Sequence, residues 1–430
     1  MPQWASGITG QGRLRGSGDS PTGMGPTISG THLLDPAVID QPYGFYEDLR
    51  AHEPVWEVPG TGIFTVATFQ LLAEAAGRVE DFSSNLNCLL YRDDHGMPRR
   101  LPFGDAGVQA LATADPPVHA LHRDTVFPEL VAKRMAGLEP DIVEIVEDCV
   151  GRALRHGGSV DFMAAVGNVV PVTMISRLIG FHDSDLDRLL QAALDSTAML
   201  GSTLSYDELI AHIARTGEIA EWLSGQLTAA MNEPMPDLIG AVAQGVTSGA
   251  LSESEANVIL HTLLSAGGES TTSLIGNAVR ILAEHRDLQT HLRECPELIP
   301  TFVEEALRLE PPFRFHMRFV PVDTALGSVE IPAGATVLLL WGAADRDPAM
   351  FDLPETVDLD RRAPRRHVAF GRGIRHCVGA PLARLEATTV LRVMLARTSV
   401  ITLDPRRTPK WANSLMVRRH EELPVRLVAC

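Results

Sequence analysis

The fold of this chain is decided by one stretch, Phe370-Gly371-Arg372-Gly373-Ile374-Arg375-His376-Cys377-Val378-Gly379-Ala380-Pro381. It places a single cysteine in a glycine-rich loop, and apolar residues recur at helical spacing after Pro381. Proline is favoured at the first position of a helix, so a helix is predicted to begin there. Cys377 then lies just before a helix N-terminus, where unpaired amides favour a negative charge. At such a position a thiol becomes a thiolate and a metal ligand.

The spacing of the glycines and the arginine around Cys377 favours a binding site over ordinary hydrophobic core. A lone cysteine beside a glycine turn is most often an unreactive buried thiol. Here, however, Gly371 and Gly373 permit the positive φ angles of a tight turn around the sulfur. Gly379 leaves room for a large flat molecule to approach the backbone, and Arg375 is a cation that can meet an acidic group on that molecule. We therefore interpret Cys377 as a metal ligand.

This stretch resembles the haem-binding signature of the cytochrome P450 family, F-x-x-G-x-R-x-C-x-G, at every defined position from Phe370 to Gly379. The resemblance implies a haem b cofactor (iron protoporphyrin IX) whose iron is bound by Cys377, with Phe370, Arg375 and Gly379 around it. It also implies the fold of that family, which is mainly α with small β-sheets. In that fold the haem lies between a long central helix and the cysteine loop.

Length and composition favour one long domain. The 430 residues are 45% hydrophobic, and a chain of this length exceeds what one apolar core usually fills. A large buried cofactor fills such a domain, and no linker follows the first thirty residues. We expect residues 31–430 to form a single haem domain. Residues 1–30 are rich in Gly, Ser, Thr and Pro, which predicts a flexible N-terminal extension.

Charge and cysteine usage exclude several classes of protein. A formal net charge of −17 argues against nonspecific binding to nucleic acid or to an anionic membrane. The five cysteines are scattered and odd in number, which argues against a disulfide framework and fits a reducing cytoplasm. No apolar run reaches the roughly 18–20 residues of a membrane span, and the N-terminus lacks the apolar core of a signal peptide. We therefore expect a cytoplasmic protein, similar to the soluble bacterial members of the family.

A second motif runs from Asp115-Pro116-Pro117 through His119 to Arg123. The histidine and the arginine are four residues apart, on one face of the predicted helix. On spacing alone, a solvated basic face explains them equally well. The stretch resembles the family's D-P-P-x-H-x-x-x-R segment, and that resemblance implies that His119 and Arg123 contact the haem propionates. The resemblance assigns the same role to Arg318.

A long helix is predicted from the capping box Ser252-Glu253-Ser254-Glu255 to about Ala283. In its middle stands Ala266-Gly267-Gly268-Glu269-Ser270-Thr271-Thr272, and each glycine costs a helix interior about 1 kcal/mol relative to alanine. A helix-packing notch with a polar edge is one explanation. The stretch also resembles the oxygen-activation motif A-G-x-(D/E)-T of the family.

This resemblance implies that Ala266 and Gly267 face the haem and that Glu269 and Ser270 deliver protons. The departure is Ser270, where the family usually has threonine. Serine keeps the hydroxyl but lacks the methyl group that restricts its rotation. The coupling of proton delivery to product formation is therefore the property that this departure affects.

Further segments complete the predicted architecture. Glu305 and Arg308 match E-x-x-R, helix neighbours that lock the cysteine loop in place in the family and are assigned a structural role here. Residues 138–232 show a nearly continuous helical pattern, with breaks at 180–183 and 199–202, and correspond to the lid over the substrate. Hairpins are predicted at 55–66 and 329–338. The residues expected to contact substrate are Leu263, Phe313, Phe315 and Met416. Arg314 lies in the same strip and is expected to face solvent, a propionate or an acidic group of the substrate.

The resemblance implies a monooxygenase that inserts one atom of O2 into an apolar organic substrate. No G-x-G-x-x-G follows a strand, so the electrons are expected from a separate ferredoxin and its reductase. Seven arginines and no acidic residue lie between Arg361 and Arg384, a basic patch suited to an acidic ferredoxin. The alternatives are a peroxygenase or rearrangement enzyme of the same fold, or a non-catalytic haem protein that binds a ligand or senses a gas.

Overall fold

The computed structural model describes residues 28–103, 107–131, 135–181 and 185–430. The predicted extension, residues 1–30, lies outside the described residues except for its last three positions. At those positions Ser29 caps the 3-10 turn Gly30–Leu34, and Ile28 packs against a hydrophobic cluster. Residues 28–30 therefore belong to the fold.

The structure is mainly helical, as predicted. The α-helices of the described ranges are α1 Pro36–Asp40, α2 Tyr43–His52, α3 Phe69–Gly77, α4 Val118–Val126, α5 Glu139–Arg155, α6 Val169–Ile179, α7 Leu186–Leu200, α8 Tyr206–Asn232, α9 Leu238–Thr247, α10 Glu253–Glu284, α11 Arg286–Glu294, α12 Ile299–Leu309, α13 Trp341–Ala344 and α14 Ala380–Arg397. The break predicted at 199–202 separates α7 from α8, whereas the one at 180–183 lies partly outside the described residues. Helix α14 begins next to Pro381, as the loop sequence predicts.

The strands are short and form small sheets. They are β1 Val55–Val58, β2 Ile63–Val66, β3 Cys88–Arg92, β4 Pro98–Pro102, β5 Ser159–Asp161, β6 His316–Phe319, β7 Thr324–Leu326, β8 Val329–Ile331, β9 Thr336–Leu339, β10 Thr398–Leu403, β11 Lys410–Trp411, β12 His420–Glu422 and β13 Pro424–Ala429. The order β1-β2-β9-β6 makes a four-stranded sheet, and β10-β13-β5 makes a three-stranded one. The pairs β3-β4, β7-β8 and β11-β12 stand apart.

One predicted hairpin is confirmed and the other is wrong. Strands β1 and β2 pair antiparallel across the turn at Gly60 and Gly62, whose φ angles are 71° and 67°. The segment 329–338 is not a hairpin, because its two strands belong to different sheets. Strand β8 pairs with β7, whereas β9 runs parallel to β2 and antiparallel to β6. Strand β8 therefore forms its hairpin with the strand before it, and β9 pairs with strands that are distant in the sequence.

Helix α10 is the centre of the fold. It begins at the predicted capping box, in which the Glu255 amide donates to Ser252 Oγ (3.2 Å) and the Ser252 amide donates to Glu255 Oε2 (2.8 Å). Its C-terminal half packs with α5, α6, α12 and α14, and its N-terminal half packs with α6 to α9. The helix therefore joins two hydrophobic clusters, and the cavity described below lies along it.

The double glycine of α10 serves helix packing. A Cβ atom added to Gly267 would lie 2.7 Å from Ile175 Cδ1 of α6, and one added to Gly268 would lie 3.3 Å from Ala193 Cβ of α7. The notch explanation given by the sequence is thus part of the answer. Gly267 also lines the cavity, so it serves both roles.

The Glu305–Arg308 pair of α12 is completely buried. Arg308 Nε donates to Glu305 Oε1 (2.9 Å), and the same guanidinium donates to the carbonyls of Pro354 (2.6 Å) and Thr356 (2.8 Å). Glu305 also accepts from Arg361 Nε (2.8 Å). A buried ion pair whose other hydrogen-bonding groups are also satisfied fixes the local geometry of the chain. Removing one partner of such a pair typically lowers the free energy of unfolding by about 3–5 kcal/mol.

Candidate functional site

A cavity lies between α10 and the cysteine loop. It brings together most of the residues singled out in the sequence. The predicted residues that line it are His119, Arg123, Leu263, Ala266, Gly267, Ser270, Phe313, Arg318, Phe370, Arg375, Cys377 and Gly379.

The cysteine loop has the tight geometry that its glycines predict. Gly371 and Gly373 have φ angles of 71° and 65°, which residues other than glycine rarely adopt. A Cβ atom on Gly371 would also lie 3.1 Å from the Arg375 carbonyl oxygen. The Cys377 amide donates to the Phe370 carbonyl (2.8 Å), which closes the loop and fixes where the sulfur points.

The Cys377 side chain opens onto the cavity. Enclosure by the surrounding protein raises the pKa of its thiol, although the backbone amides of Gly379 and Ala380 donate hydrogen bonds to the sulfur and oppose that rise. The sequence had predicted the opposite net direction from the helix N-terminus alone. A bound metal ion resolves the difference, because a thiol that coordinates a metal is deprotonated by the charge of the ion.

Buried cations on the cavity wall have few anionic partners. Arg318 is 9% exposed and donates to the Met317 carbonyl (2.7 Å), and it pairs with no carboxylate in the described part of the chain. Burial and the nearby charge of Arg375 lower the pKa of Arg318 to about 10. Arg375 pairs with Asp115 through one terminal nitrogen (2.7 Å), while its buried Nε has no hydrogen-bond partner among the described residues.

Helix α4 contributes one neutral and one charged group. Burial, followed by the charges of Arg375 and Arg123, lowers the pKa of His119 to about 4, so this imidazole is neutral at pH 7. Arg123 donates to the His376 carbonyl (2.8 Å) and to the Ile374 carbonyl (3.4 Å). Arg123 therefore ties α4 to the cysteine loop in addition to facing the cavity.

These observations fit haem. Cys377 presents its sulfur to the cavity, and the unpartnered Nε of Arg375 and the guanidinium of Arg318 call for acidic groups such as the haem propionates. Cys377 would bind the iron, and Arg318, Arg375 and His119 would hold the propionates. Apolar side chains such as Leu263 and Leu274 cover the remaining wall.

The cavity face of α10 presents three hydroxyl groups, those of Thr262, Ser270 and Thr271. Ser270 lines the cavity, and its Oγ donates to the Ala266 carbonyl one turn earlier (2.5 Å). Thr271 also lines the cavity and is buried. The sequence argument stopped at Ser270 and missed Thr271, although the run of hydroxyl residues in this segment was a visible signal.

Glu269 does not line the cavity. Its Oε1 accepts from Arg419 Nε (2.9 Å), and its Oε2 is buried without a hydrogen-bond partner among the described residues. Burial raises the pKa of Glu269 to about 7, against the charge and the hydrogen bond of Arg419. This carboxyl can therefore hold or release a proton near neutral pH. Arg419 lies 150 residues away in the sequence, and nothing in the sequence pointed to it.

Two of the predicted substrate contacts do not reach the cavity. Leu263 and Phe313 line it, whereas Phe315 and Met416 pack in a hydrophobic cluster with α2 and β1. The reason is register, since side chains alternate along a strand and β6 turns His316 and Arg318 toward the cavity. Phe315, immediately before this strand, is then directed to the other side.

Arg314 also points away from the cavity. It is 1% exposed, and its guanidinium donates to the carbonyls of Ile39 (2.7 Å) and Ser414. The sequence had offered solvent, a propionate or an acidic substrate group as its partner, and none of these applies. Its role is to join the N-terminal helices to the C-terminal segment.

His316 and Trp341 are cavity residues that the sequence argument missed. Trp341 Nε1 donates to His316 Nδ1 (2.6 Å), which fixes the imidazole tautomer with its proton on Nε2. Burial and the charge of Arg318 lower the pKa of His316 to about 3, so the ring is neutral at pH 7. The pair adds one neutral polar ring to the wall beside Phe313.

Known proteins resemble this chain over most of its length. Cytochrome P450 144 of Mycobacterium tuberculosis is 39% identical over 387 residues, which are 90% of this chain and 88% of that protein. Mycinamicin IV hydroxylase/epoxidase of Micromonospora griseorubida is 36% identical over 321 residues, 73% of this chain and 79% of that protein. The sequence model of the family described as Cytochrome P450 matches residues 297–423.

Solved structures of cytochromes P450 also resemble this chain. Cytochrome P450 CREJ in complex with (4-ethylphenyl) dihydrogen phosphate superposes with a TM-score of 0.84 at 28% identity, covering 92% of this chain and 100% of that one. CYP109E1 from Bacillus megaterium in complex with testosterone gives 0.81 at 27% identity, covering 91% and 99%. The chain therefore belongs to the cytochrome P450 family, and it is an oxidoreductase of the haem monooxygenase class. The thiolate that binds haem iron in this family corresponds to Cys377.

No helix within the described ranges is long and apolar enough to cross a membrane.

The pKa of Glu269 makes a prediction about stability. Because this pKa is about 7 in the folded chain and 4.5 for an ordinary glutamate, the folded state binds more protons between these two pH values. The contribution of Glu269 to the free energy of unfolding therefore falls as the pH rises through this window and is constant above it. In Glu269→Gln this fall is absent, so the stability of the variant relative to the native chain should rise by about 2–3 kcal/mol between pH 5 and pH 8.

Urea unfolding at pH 5, 6, 7 and 8 measures this difference. Glu284→Gln, at the exposed end of the same helix, serves as the control. Stability curves of the native chain and Glu269→Gln that run parallel over this range would contradict the assignment.

Proposed function

We propose that this chain is a monooxygenase of the cytoplasm that oxidises an apolar organic substrate with electrons from a ferredoxin and its reductase. The observation that carries the proposal is one cavity lined by Cys377, by arginines with a single carboxylate partner among the described residues, and by the hydroxyl face of α10. Thiolate-bound haem supplies the activation of O2 by cleavage of the O–O bond. The protein supplies binding, orientation, exclusion of water and protons.

The apolar part of the wall supports an apolar substrate. Ile175 and Leu178 of α6, Leu263 of α10, and Phe313 line the cavity. Burial of such a surface against a ligand is favourable by about 25 cal/mol per Å², and few polar groups compete with it. CYP109E1 was solved with testosterone and the structure of TamI with tirandamycin C, both organic ligands of considerable size.

The residues of α10 support proton delivery. The Ser270 hydroxyl lies at the cavity wall and is held by the Ala266 carbonyl, and Glu269 is the residue immediately before it in the helix. A carboxyl with a pKa of about 7 can give up and regain a proton at neutral pH. Glu269 points toward Arg419, so its proton reaches the cavity only if the carboxyl leaves this ion pair or passes the proton along the helix through water.

The surface beside the cysteine loop supports the ferredoxin. Of the seven arginines between 361 and 384, four pair with acidic residues: Arg361 with Glu305, Arg365 and Arg384 with Glu304, and Arg375 with Asp115. The other three, Arg362, Arg366 and Arg372, are exposed, and Ile374 among them exposes 47% of its surface. An exposed apolar residue in the same segment as exposed arginines suits a small acidic electron carrier.

The five cysteines support a reducing compartment, since none of them forms a disulfide. Two other functions of the same fold remain as candidates. A peroxygenase or rearrangement enzyme needs no electron donor, and Glu269 with Ser270 favours the monooxygenase over it. A non-catalytic haem protein that binds a ligand or senses a gas needs no proton source at all.

Reconstitution tests the function. The purified holoenzyme, a ferredoxin, its reductase and NADPH are incubated under 18O2 with a panel of apolar compounds that displace the water from the ferric iron. The expected product carries one 18O atom per molecule, and its formation requires the electron donor. Oxidation with hydrogen peroxide alone, at the same rate, would favour the peroxygenase. Absence of any product from compounds that bind would favour the non-catalytic protein.

Charge reversal tests the ferredoxin surface. Arg362→Glu combined with Arg366→Glu should slow the reduction of the haem by an acidic ferredoxin about tenfold at low salt, because electrostatic steering is lost. The difference should shrink at high ionic strength, where charges are screened beyond about 3–8 Å. Stopped-flow absorbance measures the rate. Arg286→Glu, an exposed position on α11, is the control. An unchanged rate at low salt would exclude this surface.

A further inference from the structure

The charges that line the cavity are all positive. Four arginines line it and no carboxylate of the described residues does; the arginines are Arg123, Arg318, Arg372 and Arg375. One carboxylate stands directly behind this wall, that of Asp115. It belongs to the Asp-Pro-Pro segment before α4, and neither the proton delivery nor the binding of the iron described above uses it.

Asp115 joins three parts of the site. Its Oδ1 accepts from Arg375 (2.7 Å) and from the Ser84 amide (3.0 Å), and its Oδ2 accepts from Ser83 Oγ. Ser83 in turn pairs with Phe319, with both backbone hydrogen bonds at 2.9 Å. Phe319 is the neighbour of Arg318 in β6. Asp115 therefore connects the cysteine loop to the strand that carries Arg318, the second arginine expected to face the propionates.

The charge of Asp115 acts on both Arg318 and Arg375. Its side chain is 24% exposed and that of Arg375 is 8% exposed, so the pair is only partly screened by water. Among the described residues, Asp115 is the carboxylate whose charge acts on both Arg318 and Arg375. Removing the carboxylate would leave the positive wall without its counter-charge and would free Arg375 to face the cavity.

We propose that Asp115 sets the charge at the haem edge, because it holds Arg375 in an ion pair and so lowers the one-electron reduction potential of the haem. The inference rests on the proposed function, in which Arg318 and Arg375 face the propionates. Reduction of ferric to ferrous haem takes up one electron from the ferredoxin and adds one negative charge to the site. A fixed carboxylate nearby opposes that charge, and a freed guanidinium favours it.

The experiment compares midpoint potentials of full-length holoenzymes by spectroelectrochemical titration with redox mediators. Asp115→Asn keeps an oxygen that accepts from the Ser84 amide but removes the charge, and Asp115→Ser is a second uncharged variant. Both should shift the haem toward the reduced form by about three- to tenfold at a given potential, where tenfold is 59 mV for one electron. Asp115→Glu keeps the charge and should stay close to the native value.

The control is Asp148→Asn, which changes the net charge of the chain equally at an exposed ion pair on α5. It should leave the potential unchanged. A native potential in Asp115→Asn or Asp115→Ser, with an intact thiolate spectrum of the reduced carbon monoxide complex, overturns this inference and leaves the proposed function standing. Failure of both uncharged variants to take up haem while Asp115→Glu takes it up also overturns it, because Asp115 would then be a structural residue. Absence of that spectrum in the native chain overturns the proposed function instead.

Discussion

The guanidinium groups that face the cavity carry more charge than the protein around them neutralises. Arg318 has no carboxylate partner in the described structure, and Arg375 pairs with one carboxylate, that of Asp115. Charges enclosed in a medium of low dielectric are costly unless they are paired. The site therefore fits an acidic cofactor: haem propionates would supply the missing negative charges, and the iron would hold Cys377 as a thiolate.

The same principle, applied behind the cysteine loop, keeps that loop in place. Glu304 and Glu305 on α12 bind the segment before the loop through Arg361, Arg365 and His367, and Glu304 binds the helix after it through Arg384. Burial opposes ionisation of Glu304, but the hydrogen bonds from His367 and Arg384 outweigh it and bring the pKa to about 2. Burial likewise opposes ionisation of Glu305, but the hydrogen bonds and charges of Arg308 and Arg361 outweigh it and lower the pKa of Glu305. Both carboxylates are thus charged at neutral pH, and ion pairs hold the chain on both sides of the cysteine loop.

What could be predicted from the sequence was local. The turn at Gly371 and Gly373, the capping box of α10 and the start of α14 depend on neighbouring residues, and each is present in the structure. What the sequence did not indicate depended on distant partners. The segment 329–338 is split between two sheets, Phe315 is turned from the cavity by the register of β6, and Glu269 meets Arg419 from the far end of the chain. The double glycine of α10 had two explanations, and Gly267 satisfies both.

The central claim is that Cys377 binds haem iron as a thiolate inside this cavity. The visible spectrum of the purified protein, reduced with dithionite and exposed to carbon monoxide, tests it most directly. The account predicts the strongly red-shifted Soret band of thiolate-bound haem, present in the native chain and in Cys88→Ser, whose buried thiol lies on β3, and lost in Cys377→Ser. A band typical of histidine-bound haem in the native chain, or a red-shifted band that survives Cys377→Ser, would contradict it.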